Sequence, residues 1–368
     1  LGHRHPVVQR AVQKQLDKAW HAAIADFYAE PPVALAEMLC EEAGKPFDSV
    51  FFSNSGAESV ECALKLARHH SGKEKFVAFH PCFHGRTLGA LSLTDSRPAA
   101  RHGFGNLFPV FHTPYAYPYG FNGTAKECVD DCLSRLDSLL ANNRLTVAAV
   151  FLEPCAMEAG VIVPPKEFVR GVRKVTLQHG TILVADEVQT GFYRSGEFLA
   201  SDRFGITPDV VCMAKAIGGG IPLGATLASR KVMDWESGAH ANTFGGNLLA
   251  CAAGIAALGE ARKLGKHVKK EGEYFLRRLK EFEEEFSFVG EVRGLGFMLG
   301  LEIVDRAGNK DGKTRYRVLY ELFRRGVLSL GAGENVVRFL PPLNATRAQI
   351  DLACSALGEA LKEVGGGI

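Results

Sequence analysis

The chain holds 368 residues, 46% of them apolar and 23% charged, which excludes a disordered chain, a collagen-like polymer and a disulfide-stapled miniprotein. Lys and Arg number 43 against 41 Asp and Glu, a net charge of +2, so no electrostatic footprint points to nucleic acid or to a membrane surface as partner. A small-molecule enzyme is the expectation that remains.

An amphipathic helix opens after Pro6, on Val7, Val8, Ala11, Val12 and Leu16. Leu1-Gly2-His3 gives it no lead-in, so we expect the chain to begin partway into a longer one. No basic stretch followed by an apolar one marks a secretory signal. From Ser49 onward, short apolar runs at 50–52, 76–79, 148–152, 182–185 and 210–213 alternate with helical segments such as 57–70, 124–142 and 165–179. Strands of that kind are buried on both faces of a mainly parallel sheet, so the expected fold class is α/β. Residues 248–258 are consistently apolar, too short to span a bilayer and about right for a buried helix. After Ala261 the texture changes to a charged helix over 263–286, a strand over 297–302, a helix over 315–325, a strand over 336–340 and a last helix from Arg347. That alternation suits a smaller α+β domain. We therefore expect an N-terminal segment (1–45) associating with the small domain, a large domain (46–260) and a small domain (261–368).

The nine cysteines sit in apolar stretches, as at Cys62, Cys212 and Cys251, and read as reduced, buried thiols of a cytoplasmic protein. Cys128 and Cys132 are spaced i, i+4 without a second Cys/His pair nearby, so no metal is expected.

Four segments carry chemistry. Ser53-Asn54-Ser55-Gly56-Ala57-Glu58 follows a strand and starts a helix; Ser55 and Glu58 have capping-box spacing, and free amides at such a turn suit a phosphate. Taken alone, it also reads as nothing more than a helix start. Phe79-His80-Pro81-Cys82-Phe83-His84-Gly85-Arg86-Thr87 crowds rings, imidazoles and a guanidinium at a strand end, suited to a flat ring and an anion, or to an ordinary loop. Asp186 ends the apolar run 182–185, where a carboxylate is costly unless a cation meets it. Lys215 follows another apolar run and faces Gly218-Gly219-Gly220; such a lysine is either a snorkelling surface residue or a desolvated amine apt to form a Schiff base.

A phosphate cradle, a stacking loop, a strand-end Asp and a strand-end Lys are together what a pyridoxal 5'-phosphate site requires. Their order, with the 29-residue step from Asp186 to Lys215, resembles the class III (ω-amino acid) aminotransferases of pyridoxal phosphate fold type I, the aspartate aminotransferase-like fold. Leu1-Gly2-His3, Ser55-Gly56-Ala57-Glu58, Phe83-His84-Gly85-Arg86-Thr87, Asp186-Glu187-Val188-Gln189-Thr190-Gly191-Phe192, Thr243-Phe244-Gly245-Gly246-Asn247 and Arg338-Phe339-Leu340-Pro341-Pro342 carry the likeness, which covers residues 1 to about 362. The 4-aminobutyrate aminotransferases are the first comparison.

The resemblance implies a seven-stranded sheet in the large domain and a role for each matching residue. Lys215 would be the Schiff-base lysine and the base that moves the proton between Cα and the cofactor's C4′. Asp186 would pair with the pyridinium nitrogen and Gln189 with the phenolic oxygen. Phe83 would stack on the ring with His84 beside it; Ser55, Gly56 and Ala57 would bind the phosphate. Thr243 would reach the phosphate of the other subunit of a homodimer, which could pair further into a tetramer. Arg86 would take a distal carboxylate, Arg338 the α-carboxylate of glutamate, and Glu158 would neutralise Arg338 when the donor lacks that carboxylate. Where the family commonly reads Glu-Pro, a β-branched residue, then Gln-Gly-Glu, this chain reads Glu153-Pro154-Cys155-Ala156-Met157-Glu158, which reshapes the pocket wall.

The leading expectation is transamination of 4-aminobutyrate with 2-oxoglutarate as acceptor. Ornithine or N-acetylornithine fits the Phe83 to Arg86 loop about equally well, and an amino acid racemase of the same family is the third reading. A nicotinamide oxidoreductase using the 218–220 turn lacks the G-x-G-x-x-G fingerprint, and a scaffold role leaves Asp186 and Lys215 without a reason.

Overall fold

The computed structural model describes residues 1–96, 98–105 and 107–366. In chain order the elements are α1 (Pro6–Leu16), α2 (Glu30–Ala43), β1 (Ser49–Ser53), α3 (Gly56–Ser71), β2 (Lys75–His80), α4 (Leu88–Leu93), β3 (Val110–Pro114), α5 (Ala125–Asn142), β4 (Val147–Leu152), α6 (Lys166–His179) and β5 (Ile182–Asp186). They continue with α7 (Ala200–Phe204), β6 (Val210–Met213), β7 (Gly224–Ala228), α8 (Leu248–Ala261), α9 (Gly265–Glu285), β8 (Val289–Leu295), β9 (Met298–Ile303), α10 (Gly312–Arg324), β10 (Leu330–Ala332), β11 (Val336–Phe339) and α11 (Arg347–Gly365).

The first seven strands form one sheet in the order β1-β7-β6-β5-β4-β2-β3. β7 pairs antiparallel with both its neighbours, and the pairs from β6 to β3 are parallel. This is the seven-stranded, mainly parallel sheet that the resemblance implies. β4 is buried along its whole length, and helices cover both faces of the sheet: α3 packs on β6 and β7 on one side, while α5 and α6 pack on each other on the other. β8 to β11 form a second, antiparallel sheet in the order β10-β11-β9-β8. α1 and α2 pack on α8, and α2 also on β1; at the very start of the chain, Gly2 lies beside Pro342.

The capping chemistry written in the sequence sets several helix ends. Thr124 and Thr346 accept from the backbone N–H of Glu127 and Gln349, whose side chains accept in return from the Thr124 and Thr346 amides. The Ser55-Glu58 spacing behaves differently. Ser55 Oγ accepts from Glu58 N–H at 3.2 Å, but the Glu58 carboxylate reaches one residue further back, to the Asn54 amide at 2.6 Å and the Asn54 side chain at 3.0 Å. The difference follows from the tight strand-to-helix turn, which brings the Asn54 N–H within reach and leaves the Ser55, Gly56 and Ala57 amides for another acceptor. All the cysteines but Cys40 are buried. No helix among the described residues is long and apolar enough to cross a membrane.

Candidate active site

The C-terminal ends of β1, β2, β5 and β6 open onto one cavity of about 490 Å³, the position where open α/β sheets hold ligands. Ser55, Gly56, Ala57, Phe83, His84, Arg86, Asp186, Gln189 and Lys215 all line it. These residues span 160 positions of sequence and come together because the parallel strands deliver their ends to one edge.

Asp186 is the buried last residue of β5, with both carboxylate oxygens engaged: Oδ1 accepts from Val188 N–H at 3.1 Å, and Oδ2 lies 2.8 Å from His84 Nδ1. Burial works against a charged imidazole at His84, yet the Cys82 sulfur and the Asp186 carboxylate hold its pKa well above the ordinary value. His84 thus bonds to the aspartate as well as lining the cavity, and its buried Nε2 has no hydrogen-bond partner in the protein. The loop carrying it is fixed by Thr94, whose Oγ1 accepts from the His84 and Gly85 amides.

Lys215 follows β6 with φ +49°, in the left-handed region that non-glycine residues rarely adopt. Burial lowers its amine below the ordinary lysine range, against the opposing pull of Asp186, Glu158 and Glu153. The first turn of α3 faces the same cavity. A Cβ on Gly56 would meet Val188 Cγ1 at 2.7 Å, so only glycine fits between the helix start and the β5 loop.

At the cavity edge, Arg338 Nη1 donates to Glu158 Oε1 at 2.7 Å, and Gln189 Nε2 donates to the same oxygen at 3.2 Å. Arg338 is buried and its Nε has no partner in the protein. Burial would raise Glu158, but Arg338 beside it keeps the carboxyl below its ordinary value. Arg86 is exposed, its guanidinium carbon 5.7 Å from the Phe83 ring centre. Thr243 is also exposed and does not line this chain's cavity.

Glu153 and Val188 are among the lining residues to which the sequence assigns no role. Glu153 is buried, accepts from Phe83 N–H at 2.8 Å and Met157 N–H at 3.2 Å, and is pushed up to about 7 by burial. Its signal was available, because a carboxylate directly after a wholly apolar strand repeats the placement of Asp186. Val188 borders the cavity between Asp186 and Gln189. A small apolar side chain carries no chemical flag, and nothing marked it. Glu187, by contrast, is taken up structurally: Thr190, Ala200 and Ser201 donate to it and tie the β5 loop to α7.

The donor set fits pyridoxal phosphate. A ring nitrogen would meet Asp186, a phosphate the unpaired amides at the start of α3, and a carbonyl carbon the amine of Lys215. The glycine at 56, where a Cβ has no room, keeps that cradle open.

The sequence matches the family described as "Aminotransferase class-III" over residues 1–361. It is 40% identical to an acetylornithine aminotransferase of Methanopyrus kandleri, covering 99% of this chain and 87% of the relative. It is 32% identical to an alanine/serine racemase of Pyrococcus horikoshii, covering 98% and 79%. Among solved structures, an amine transaminase of an uncultivated Pseudomonas species in its PLP-bound form superposes with a TM-score of 0.93 at 32% identity, covering 99% and 88%.

Proposed function

The chain belongs to the class-III aminotransferases, and from that membership we propose that it moves the terminal amino group of N-acetylornithine to 2-oxoglutarate. It is a pyridoxal phosphate-dependent enzyme of fold type I, acting on an amino donor and an oxo-acid acceptor. The donor shifts from 4-aminobutyrate, the first expectation from the motifs, because several relatives between 35% and 40% identical carry the name acetylornithine aminotransferase.

When bound, pyridoxal phosphate supplies an electron sink beside the amine-bearing carbon. Lys215, its pKa lowered by burial, is then the base: Nζ takes the proton from the donor's amine-bearing carbon. Asp186, oriented by His84 and the Val188 amide, would meet the ring nitrogen, and Gln189 would serve the phenolic oxygen. Phe83 would lie against the ring, while Ser55, Gly56 and Ala57 would hold the phosphate.

The observation that carries the substrate reading is the Glu158–Arg338 pair beside the cavity, with Arg86 as a second guanidinium on its wall. In the donor half-reaction Arg86 takes the donor's carboxylate and Glu158 stays on Arg338. With 2-oxoglutarate, Arg338 leaves Glu158 for the α-carboxylate and Arg86 takes the distal one. Each guanidinium therefore meets a carboxylate in both halves, which for the buried Arg338 avoids the cost of an unpaired charge.

A homodimer completes the reading, with Thr243 reaching the partner's phosphate. The segment beside Thr243 supports it: Trp20, Phe27, Tyr28 and Phe244 are exposed, Asn247 donates to Trp20 O, and the His21 and Phe244 rings lie 5.0 Å apart. The chain divides after residues 45 and 260 into an N-terminal segment, a large domain and a small domain, and its proposed setting is the cytoplasm.

The test is the absorption spectrum of the holoenzyme, with no oxo acid present, after adding N-acetylornithine, ornithine or 4-aminobutyrate separately. Conversion of the cofactor to its amine form by N-acetylornithine at the lowest concentration is expected. Conversion by 4-aminobutyrate alone overturns the donor. Exchange of the α-proton of alanine without amino transfer makes the enzyme a racemase.

A further inference from the structure

The loop that carries Glu158 leaves the large sheet and seats on the small one. After β4 the chain turns back on itself through paired Ala156 and Ile162, which exchange two backbone hydrogen bonds of 3.0 Å. The tip of the turn, Glu158 to Val161, is conformationally expensive: Val161 has φ +53°, a costly value for a β-branched residue. Something must hold it there.

A row across the small sheet holds it, together with the Gly333 N–H after β10, which donates to Glu158 O at 2.8 Å. Arg293 on β8 and Arg338 on β11 are both registered opposite Gly300 on β9, so the three residues share one row and one face. A Cβ at Gly300 would sit 3.0 Å from Val161 Cβ, so the missing side chain is the seat for Val161. On one side of that seat, Arg338 holds the Glu158 carboxylate. On the other, Arg293 Nε donates to Val161 O at 3.0 Å and Nη2 to Gly160 O at 2.5 Å. The Arg293 charge is met by Glu302 at 3.2 Å and Glu291 at 2.7 Å, and Nη1 donates to Tyr117 Oη at 2.9 Å. Its side chain is only 8% exposed.

We infer that Arg293 is the fixed clasp of this loop, a positioning residue that lets Arg338 release Glu158 and recapture it without the loop moving. The two arginines differ in what they grip. Arg338 holds a side-chain carboxylate that a substrate carboxylate can replace, whereas Arg293 holds two backbone carbonyls that no substrate displaces. If the loop left with Glu158 each time Arg338 took a dicarboxylate, the strained turn would have to be rebuilt before each donor half-reaction. A guanidinium is suited to the clasp because its planar fork spans two adjacent carbonyls at once, which an ammonium cannot. The inference rests on the Glu158–Arg338 exchange proposed above and adds to it the residue that makes the exchange reversible.

The test uses Arg293→Lys and Gly300→Ala, with Glu158→Gln as the control, and measures the two half-reactions of each holoenzyme separately. Arg293→Lys keeps a cation beside Glu302 and loses the double grip; Gly300→Ala leaves every ionic partner in place and pushes on Val161. Both variants are expected to lower kcat/KM for an ω-amino donor that the parent turns over, by roughly tenfold for Arg293→Lys, the effect of one charge-assisted hydrogen bond, with little change for 2-oxoglutarate. In the cofactor-free proteins, hydrogen exchange of amides 156–162 is expected to speed up while that of β4 and β5 does not. Glu158→Gln is expected to show the same split in the half-reactions. A split in Glu158→Gln, with Arg293→Lys and Gly300→Ala slowing both halves equally or leaving loop exchange unchanged, overturns the clasp and leaves the exchange standing. No split in Glu158→Gln overturns the exchange, and the clasp falls with it.

Discussion

Two side chains in the cavity wall owe their chemistry to burial, and the consequences run in opposite directions. At Lys215 burial favours the neutral amine, the form a base needs. Replacing Lys215 with Ala is expected to cut turnover by roughly 10²–10⁴-fold or more and to abolish the absorption band of covalently held cofactor, read by spectroscopy of the purified variant. At Glu153 burial favours the neutral acid, raised from its ordinary 4.5 to about 7. Between those two pH values the folded chain holds a proton that the unfolded chain has released. Stability therefore falls as pH rises through that window, by about 3 kcal/mol in all for this one group. Glu153→Gln lacks that loss, so its urea-unfolding free energy relative to the parent is expected to rise between pH 5 and pH 8 in the cofactor-free protein. An unchanged difference would mean that Glu153 titrates normally. The Asp186 and Lys215 positions were legible because polar groups at the ends of apolar strands stand out along the chain, while Gln189 was legible only through the family resemblance. That Glu153 lies against the same loop as Phe83 was not, since the contact joins residues 70 positions apart.

Among the elements, the start of α3 carries the cradle. Ser55→Ala removes the side chain that caps the helix and is expected to cost about 1 kcal/mol of stability, measured by thermal or urea unfolding. Gly56→Val is expected to weaken cofactor affinity at least about tenfold, measured by cofactor titration, because its side chain must displace Val188 and fill the space over the first-turn amides. The strands β1, β2, β4, β5 and β6 were legible as short apolar runs, since burial on both faces demands such runs. β3, β7 and β8 were not. β3 is an edge strand reading Val-Phe-His-Thr-Pro, half covered and ending in proline. β7 reads Gly-Ala-Thr-Leu-Ala, of low strand propensity, and is held by pairing on both sides. β8 contains two glycines and two charged residues, and Arg293 among them is there for the loop it grips. Their assignment depends on neighbours that lie far away in sequence.

At the scale of the whole molecule, loops of the large sheet line the cavity, and the small sheet reaches its edge through Arg338, which donates to Gln189 Oε1 at 3.4 Å. Asp186 and Lys215 come from the large sheet and Arg338 from the small one, with the Glu158 loop between them. The exposed aromatic segment beside Thr243 gives a further expectation. Tyr28→Glu and Phe27→Glu are expected to shift sedimentation toward the monomer and to lose activity together with the dimer. A monomer that keeps full activity would remove Thr243 from the partner's site. By itself the sequence determined the class of fold, the family and half of the cavity-lining residues, because strand burial, helix caps and strand-end polar groups are local patterns. Only the tertiary structure decided that His84 grips Asp186, that Glu58 caps one residue early, and that Arg293, Gly300 and Arg338 form one row beneath the Glu158 loop. Those are contacts between distant segments, and their geometry is set by sheet register and packing, which no local pattern encodes.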